Sequence, residues 1–113
     1  AVLLREHGSI WLVQRNAGEW HEGLWALPSV IHRNADENWA ADFDRRFGTD
    51  LRETRKALAA RYQVTHHRID LRVFEAAGVD GNDDRLRRWN LDTLASLPIV
   101  TAHRRSLQRL KII

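Results

Sequence analysis

Residues 9–28 read SIWLVQRNAGEWHEGLWALP, and this stretch decides the fold. Its opening is a strand: Ile10, Leu12 and Val13 are apolar, with Trp11 on the other face. Asn16 to Gly23 is polar and carries Gly18 and Gly23, which marks a loop, and Leu24, Trp25, Ala26 and Leu27 form a short buried strand stopped by Pro28. Towards the N-terminus, Val2, Leu3 and Leu4 precede a turn around His7, Gly8 and Ser9, so the domain begins with a hairpin. Towards the C-terminus, Trp39, Ala40, Phe43 and Phe47 fall at helical spacing. This predicts a helix from Glu37 to Phe47 with Gly48 as its stop.

Leu51 to Tyr62 stays open on this reading. Ala57, Leu58, Ala59 and Ala60 suit a helix by propensity, whereas the neighbouring elements suit an extended segment. Ile69, Leu71 and Val73 alternate with Asp70, Arg72 and Phe74, which marks a half-buried strand, and Val79 to Asp83 is a turn. Leu86 to Trp89 is a further short strand. Thr101 to Leu110, following Pro98, is an amphipathic C-terminal helix. Strands, a central helix, more strands and a last helix make one α+β domain over residues 1–113, with a mixed β-sheet flanked by helices.

Composition bounds what such a domain can do. The chain has 113 residues, room for one hydrophobic core and no second catalytic domain. It has no Cys, which excludes a disulfide framework, a cysteine nucleophile, a Cys-ligated zinc site and an iron–sulfur cluster. It has no Met either, as expected of a processed chain or a piece of a longer protein. No apolar run approaches the ~20 residues of a membrane span, and the N-terminus lacks the pattern of a signal peptide. Of the 18 basic residues only Lys56 and Lys111 are Lys; the arginines suit bidentate contacts to phosphate, although a GC-rich genome gives the same bias. The net charge is only +3, but Arg45 and Arg46, then Arg85, Arg87 and Arg88, then Arg104, Arg105 and Arg109, are clusters that could each form a local basic face.

Residues 9–28, together with YQVTHHRIDLRVFEA (62–76) and RRWNLDTLASLPIVTAHRRSLQRL (87–110), resemble the C-terminal domain of MutY-type adenine DNA glycosylases, a Nudix-like domain. The most specific pieces are Gly23, Leu24, Trp25 and Pro28, the Thr65 and His66 pair before a strand, and Trp89 with Leu97 and Pro98 ahead of the last helix. The resemblance implies a Nudix-like α/β/α sandwich. It also implies a module that helps the glycosylase discriminate 8-oxoguanine:adenine mispairs in base excision repair, while an N-terminal catalytic domain, absent here and carrying an iron–sulfur cluster, removes the adenine. No cofactor is expected in this domain, and the chain alone is not expected to be an enzyme. The implied partners are double-stranded DNA containing 8-oxoguanine and the glycosylase domain of the same polypeptide, with no membrane. A monomer in the bacterial cytoplasm, associated with the nucleoid, is expected.

Nudix hydrolases share this fold, and they hold divalent cations with glutamates of a helix that opens after a Pro-Gly-Gly turn. Here Pro28 is followed by Ser29 and Val30. Matching Gly48 to the glycine that ends that motif puts Arg45 and Arg46 where its paired metal-binding glutamates stand, and Asp42 at the preceding Glu. Two cations cannot ligate a cation, so Arg45 and Arg46 read as a solvated or phosphate-facing surface. The alternatives to lesion recognition are therefore a divergent Nudix hydrolase of nucleoside diphosphate derivatives and a silent Nudix-like scaffold that binds protein.

By the same resemblance, Val64, Thr65 and His66 match a Phe-Ser-His loop beside the oxidised guanine. Oxidation at C8 turns the N7 acceptor into an N–H donor and adds a carbonyl, and the Thr65 hydroxyl can accept from the first or donate to the second. The competing reading of Thr65 is an ordinary threonine at a strand entry. His66 could approach the lesion or a phosphate, but loop fixation by hydrogen bonding to backbone is its favoured role. Val64 removes the family's aromatic surface. His67 and Arg68 follow on alternate faces of the strand, one of them towards DNA. Of the five Trp, Trp20 in the polar loop is the one expected to be exposed.

Overall fold

β1 (Val2–Glu6) and β2 (Ser9–Gln14) form the expected hairpin in the computed structural model of the chain, which describes residues 1–6, 8–16, 18, 23–31, 38–64, 67–77 and 86–113. Glu6 pairs with Ser9, and Gly8 beside the turn has φ +77°, a conformation that glycine adopts without strain. β2 is the hub of the sheet. β6 (Leu86–Asn90) runs antiparallel along one side of it; β1 at its start and β3 (Trp25–Ala26) at its end occupy the other. β1 then pairs in parallel with β5 (His67–Ala77), and β5 pairs antiparallel with β4 (Arg52–Val64), so the sheet is mixed in the order β3-β2-β1-β5-β4.

β1 explains why helices cover both faces. Its residues are apolar without alternation, the pattern of a strand buried on both sides. Leu3 points into one cluster with Ile10, Leu12, Leu71, Val73 and Leu107, while Val2 and Leu4 join Val13, Phe43, Phe47 and Ala76 on the other face. α1 (Trp39–Phe47) covers the second face through Phe43 and Phe47, both essentially inaccessible, each contributing about 1.5–3 kcal/mol by burial. Asn38 caps α1 by accepting from the Ala41 N–H, and Gly48, at φ 63°, ends it in the left-handed conformation. α1 begins at Trp39; the expected start at Glu37 lies outside the described residues.

α2 (Thr101–Arg109) covers the first face. Its buried stripe is His103, Ser106 and Leu107. His103 Nδ1 accepts a hydrogen bond from the Leu27 N–H at 3.0 Å, and Ser106 returns its hydroxyl proton to the Ala102 carbonyl. Just upstream, the Trp25 N–H donates to the Pro98 carbonyl and the Val100 N–H to the Trp25 carbonyl, making a short parallel bridge. Two of the three most specific pieces of the sequence, the Trp25 to Pro28 element and the Leu97 to Pro98 approach, are thus joined by backbone bonds. A 3₁₀ turn, Leu91–Ser96, not anticipated from the sequence, links β6 to that approach. Arg104, expected on a basic face, instead donates to the carbonyls of Leu94 and Leu97 and ties this turn to α2.

Leu51 to Tyr62 resolves as extended: β4 runs unbroken from Arg52 to Val64. Leu58 and Tyr62 pack on the α2-side core, so tertiary burial overrides the helical propensity of the alanines. No helix among the described residues is long and apolar enough to cross a membrane.

Candidate nucleic-acid interface

The longest elements of the domain, β4 and β5, converge on one tip. Their register carries Arg61 opposite Asp70, Gln63 opposite Arg68 and Val64 opposite His67. The chain passes from Val64 to His67 through Thr65 and His66, which lie outside the described residues, as do Trp20 and Arg85. The ladder therefore brings Val64, His67 and Arg68 together at one end of the sheet. Arg68 is exposed and, among the described residues, has no carboxylate partner. Arg61 Nε sits 2.9 Å from Asp70 Oδ1 in an exposed ion pair, worth at most about 1 kcal/mol.

Beside the tip, Arg61, Tyr62, Gln63 and Arg68 line a hollow of about 240 Å³. Arg61, Tyr62 and Gln63 also form one wall of a larger groove, about 370 Å³, whose other wall is α2 with Thr101, Arg105 and Arg109. Burial of Tyr62 pushes its hydroxyl above the usual tyrosine range, an effect opposed by the nearby Arg15 charge. Arg105 and Arg109 are exposed and have no carboxylate partner among the described residues. They stand at i and i+4, hence on one side of α2.

Arg45 and Arg46 lie elsewhere. Both are exposed on α1, on the sheet face opposite α2. Arg45 pairs with Asp42, and the Arg46 guanidinium sits 5.5 Å from the Phe47 ring centroid. Asp44 is engaged in holding the chain: its Oδ1 accepts from Thr49 Oγ1 at 2.7 Å and from the Leu51 N–H at 3.1 Å, fastening the end of α1 to the start of β4. The two carboxylates of α1 thus serve an ion pair and a backbone clasp. Among the described residues no three His, Asp or Glu side chains converge as they would around a metal ion.

The sequence reading missed Arg61, Tyr62 and Gln63. Nothing in the linear order signals them until β4 is known to be a strand whose register carries Arg61 to Asp70. Arg105 and Arg109 belong to a cluster visible in the sequence, and their four-residue spacing is the cue that separates them from Arg104.

Comparison with family models and solved structures agrees with this architecture. Residues 1–109 match the NUDIX domain model, so the chain belongs to the Nudix domain family. Its fold is similar to that of a MutT Nudix hydrolase from Burkholderia pseudomallei, at 17% identity and TM-score 0.76, covering 95% of this chain and 92% of that one. It is similar to the C-terminal domain of mouse MUTYH, solved with human PCNA, at 17% identity and TM-score 0.73, covering 97% and 81% respectively. A Nudix hydrolase from M. smegmatis, RenU, shares 18% identity with TM-score 0.62, covering 97% of this chain and 79% of that one. Comparison with curated protein sequences finds no match.

Proposed function

We propose that this Nudix domain is a DNA lesion-recognition module, which increases the discrimination of 8-oxoguanine:adenine pairs by an adenine DNA glycosylase of the MutY type. The observation that carries the reading is the β4–β5 hairpin. Its two long strands end at Val64 and His67, with Thr65 and His66 between them in sequence and the exposed cation Arg68 one residue on. The end of a two-strand ladder suits presentation of a connecting segment to a base pair, because the strands fix where that segment starts and ends. The Thr65 hydroxyl supplies a group that can accept from N7–H of the oxidised base or donate to its C8 carbonyl. The likeness to the MUTYH C-terminal domain supports the same reading at the level of fold.

The commitments of α1 argue against the hydrolase alternative. Asp42 is paired with Arg45, Asp44 clasps Thr49 and Leu51, and arginines hold the two positions where the hydrolase motif needs glutamates. The recognition module then acts by binding and positioning, with N-glycosidic chemistry supplied by the partner domain.

Two measurements test this. The chain incubated with 8-oxo-dGTP and Mg²⁺ should release no pyrophosphate; turnover would establish the hydrolase. In the glycosylase carrying this domain, Thr65→Ala should lower the preference for adenine opposite 8-oxoguanine over adenine opposite thymine by about 10-fold, the size of one lost hydrogen bond. An unchanged preference removes Thr65 from recognition.

A further inference from the structure

We propose that the groove between β4 and α2 is a phosphate track. It holds the DNA strand that leaves the hairpin tip, and Arg61, Arg105 and Arg109 are the cations that meet its phosphodiesters. This rests on the lesion-recognition reading and assigns the backbone contacts of that same interface.

The argument is one of charge and continuity. The groove and the hollow beside it share Arg61, Tyr62 and Gln63, so they meet at the outer edge of β4, where Tyr62 faces α2 and Arg61, Gln63 and Arg68 occupy the alternate positions of the ladder. Four arginines line this path, and no Asp or Glu does. Three of them, Arg68, Arg105 and Arg109, have no carboxylate partner among the described residues, as is also true of Arg46, Arg72 and Arg87 off this lining, whereas Arg5, Arg45, Arg52 and Arg55 are paired. Arg61 is held by Asp70 in an exposed pair that an incoming phosphate can displace at little cost. Arg105 and Arg109 are one turn apart, about 6 Å along the helix, which matches one to two phosphates on a strand whose charges rise about 3.4 Å each. Thr101 and Gln63 add a hydroxyl and an amide, groups that commonly donate to phosphate oxygens. An elongated basic path fits a polymer backbone better than a compact ligand.

The same geometry excludes α1 from the track. Arg45 and Arg46 stand on α1, and no residue of α1 lines the groove or the hollow.

The test is a side-chain NMR titration of the arginine-labelled chain with a duplex holding one 8-oxoguanine:adenine pair at low salt, and separately with inorganic pyrophosphate. The Nε–Hε signals of Arg61, Arg105 and Arg109 should move with the duplex, and those of Arg45 and Arg46 should not. Movement of the groove signals with pyrophosphate alone overturns the proposal and assigns the groove to a free diphosphate. Movement of the Arg68 signal without those of Arg61, Arg105 and Arg109 also overturns it, but leaves lesion recognition standing; no movement anywhere removes both. In the salt series, the double variant Arg105→Ala/Arg109→Ala should lower the slope of log affinity against log salt by about 1.8, at about 0.9 per lost phosphate contact. Arg45→Ala/Arg46→Ala should leave the slope unchanged. An unchanged slope in the groove variant, with its melting temperature intact, refutes the track.

Discussion

Asp44 tests whether α1 is a structural helix or a remnant metal-binding one. Its Oδ1 receives two hydrogen bonds, from the Thr49 hydroxyl at 2.7 Å and the Leu51 N–H at 3.1 Å, and Thr49 is itself buried. A hydrogen bond to a charged acceptor contributes about 1.5–3 kcal/mol, and an orphaned buried donor costs about 1–3 kcal/mol. Asp44 is only half-buried, so the two bonds together should contribute about 2–3 kcal/mol rather than the full sum. Asp44→Ala should lower stability by that amount in urea unfolding followed by Trp fluorescence, and Asp44→Asn, which keeps a neutral acceptor, by about 1 kcal/mol. The melting temperature of Asp44→Ala should fall by roughly 10 °C. Mg²⁺ should change none of these values. A loss below about 0.5 kcal/mol, within the range of ordinary surface substitutions, would refute the clasp. So would a Mg²⁺-dependent stabilisation of the wild type that Asp44→Ala abolishes, because that carboxylate would then be a cation ligand.

Further outcomes follow from the same structure. His103→Ala should cost about 3 kcal/mol, because it opens a cavity and leaves the Leu27 N–H without its acceptor; thermal unfolding measures it, and a shift under 1 kcal/mol counts against the bond. Arg104→Ala frees the Leu94 and Leu97 carbonyls and should destabilise by about 1–2 kcal/mol while leaving the DNA salt slope alone.

Where apolar spacing is regular, the sequence is readable. Val2 to Leu4, Ile10 with Leu12 and Val13, and Phe43 with Phe47 all stand in the core, as their apolar patterns imply. β4 is not readable, for a definable reason. Register shifts between Arg52 and Arg55 and between Lys56 and Leu58 interrupt the two-residue alternation that would have declared a strand. In α2 the buried stripe includes His103 and Ser106, polar residues whose burial depends on partners in the helix and in the segment after β3. Arg104 and Arg105 are neighbours in sequence with opposite fates, because one reaches the carbonyls of the 3₁₀ turn and the other lines the groove. Val64 to Arg68 enter by resemblance alone, with Thr65 and His66 outside the described residues, whereas the groove beside them depends on contacts between elements about 40 residues apart.

The outer position of β4 has one more effect. Thirteen residues of strand at the margin of a sheet are a template on which a second copy could align. Arg52, Arg55, Lys56 and Arg61 stud this margin, three of them in exposed ion pairs, and its two register shifts bend it, so copies approaching edge to edge meet solvated charged side chains and mismatched spacing. Colloidal stability and anion affinity are therefore coupled. A polyanion that neutralises this margin without covering it should lower the concentration at which the protein stays in solution.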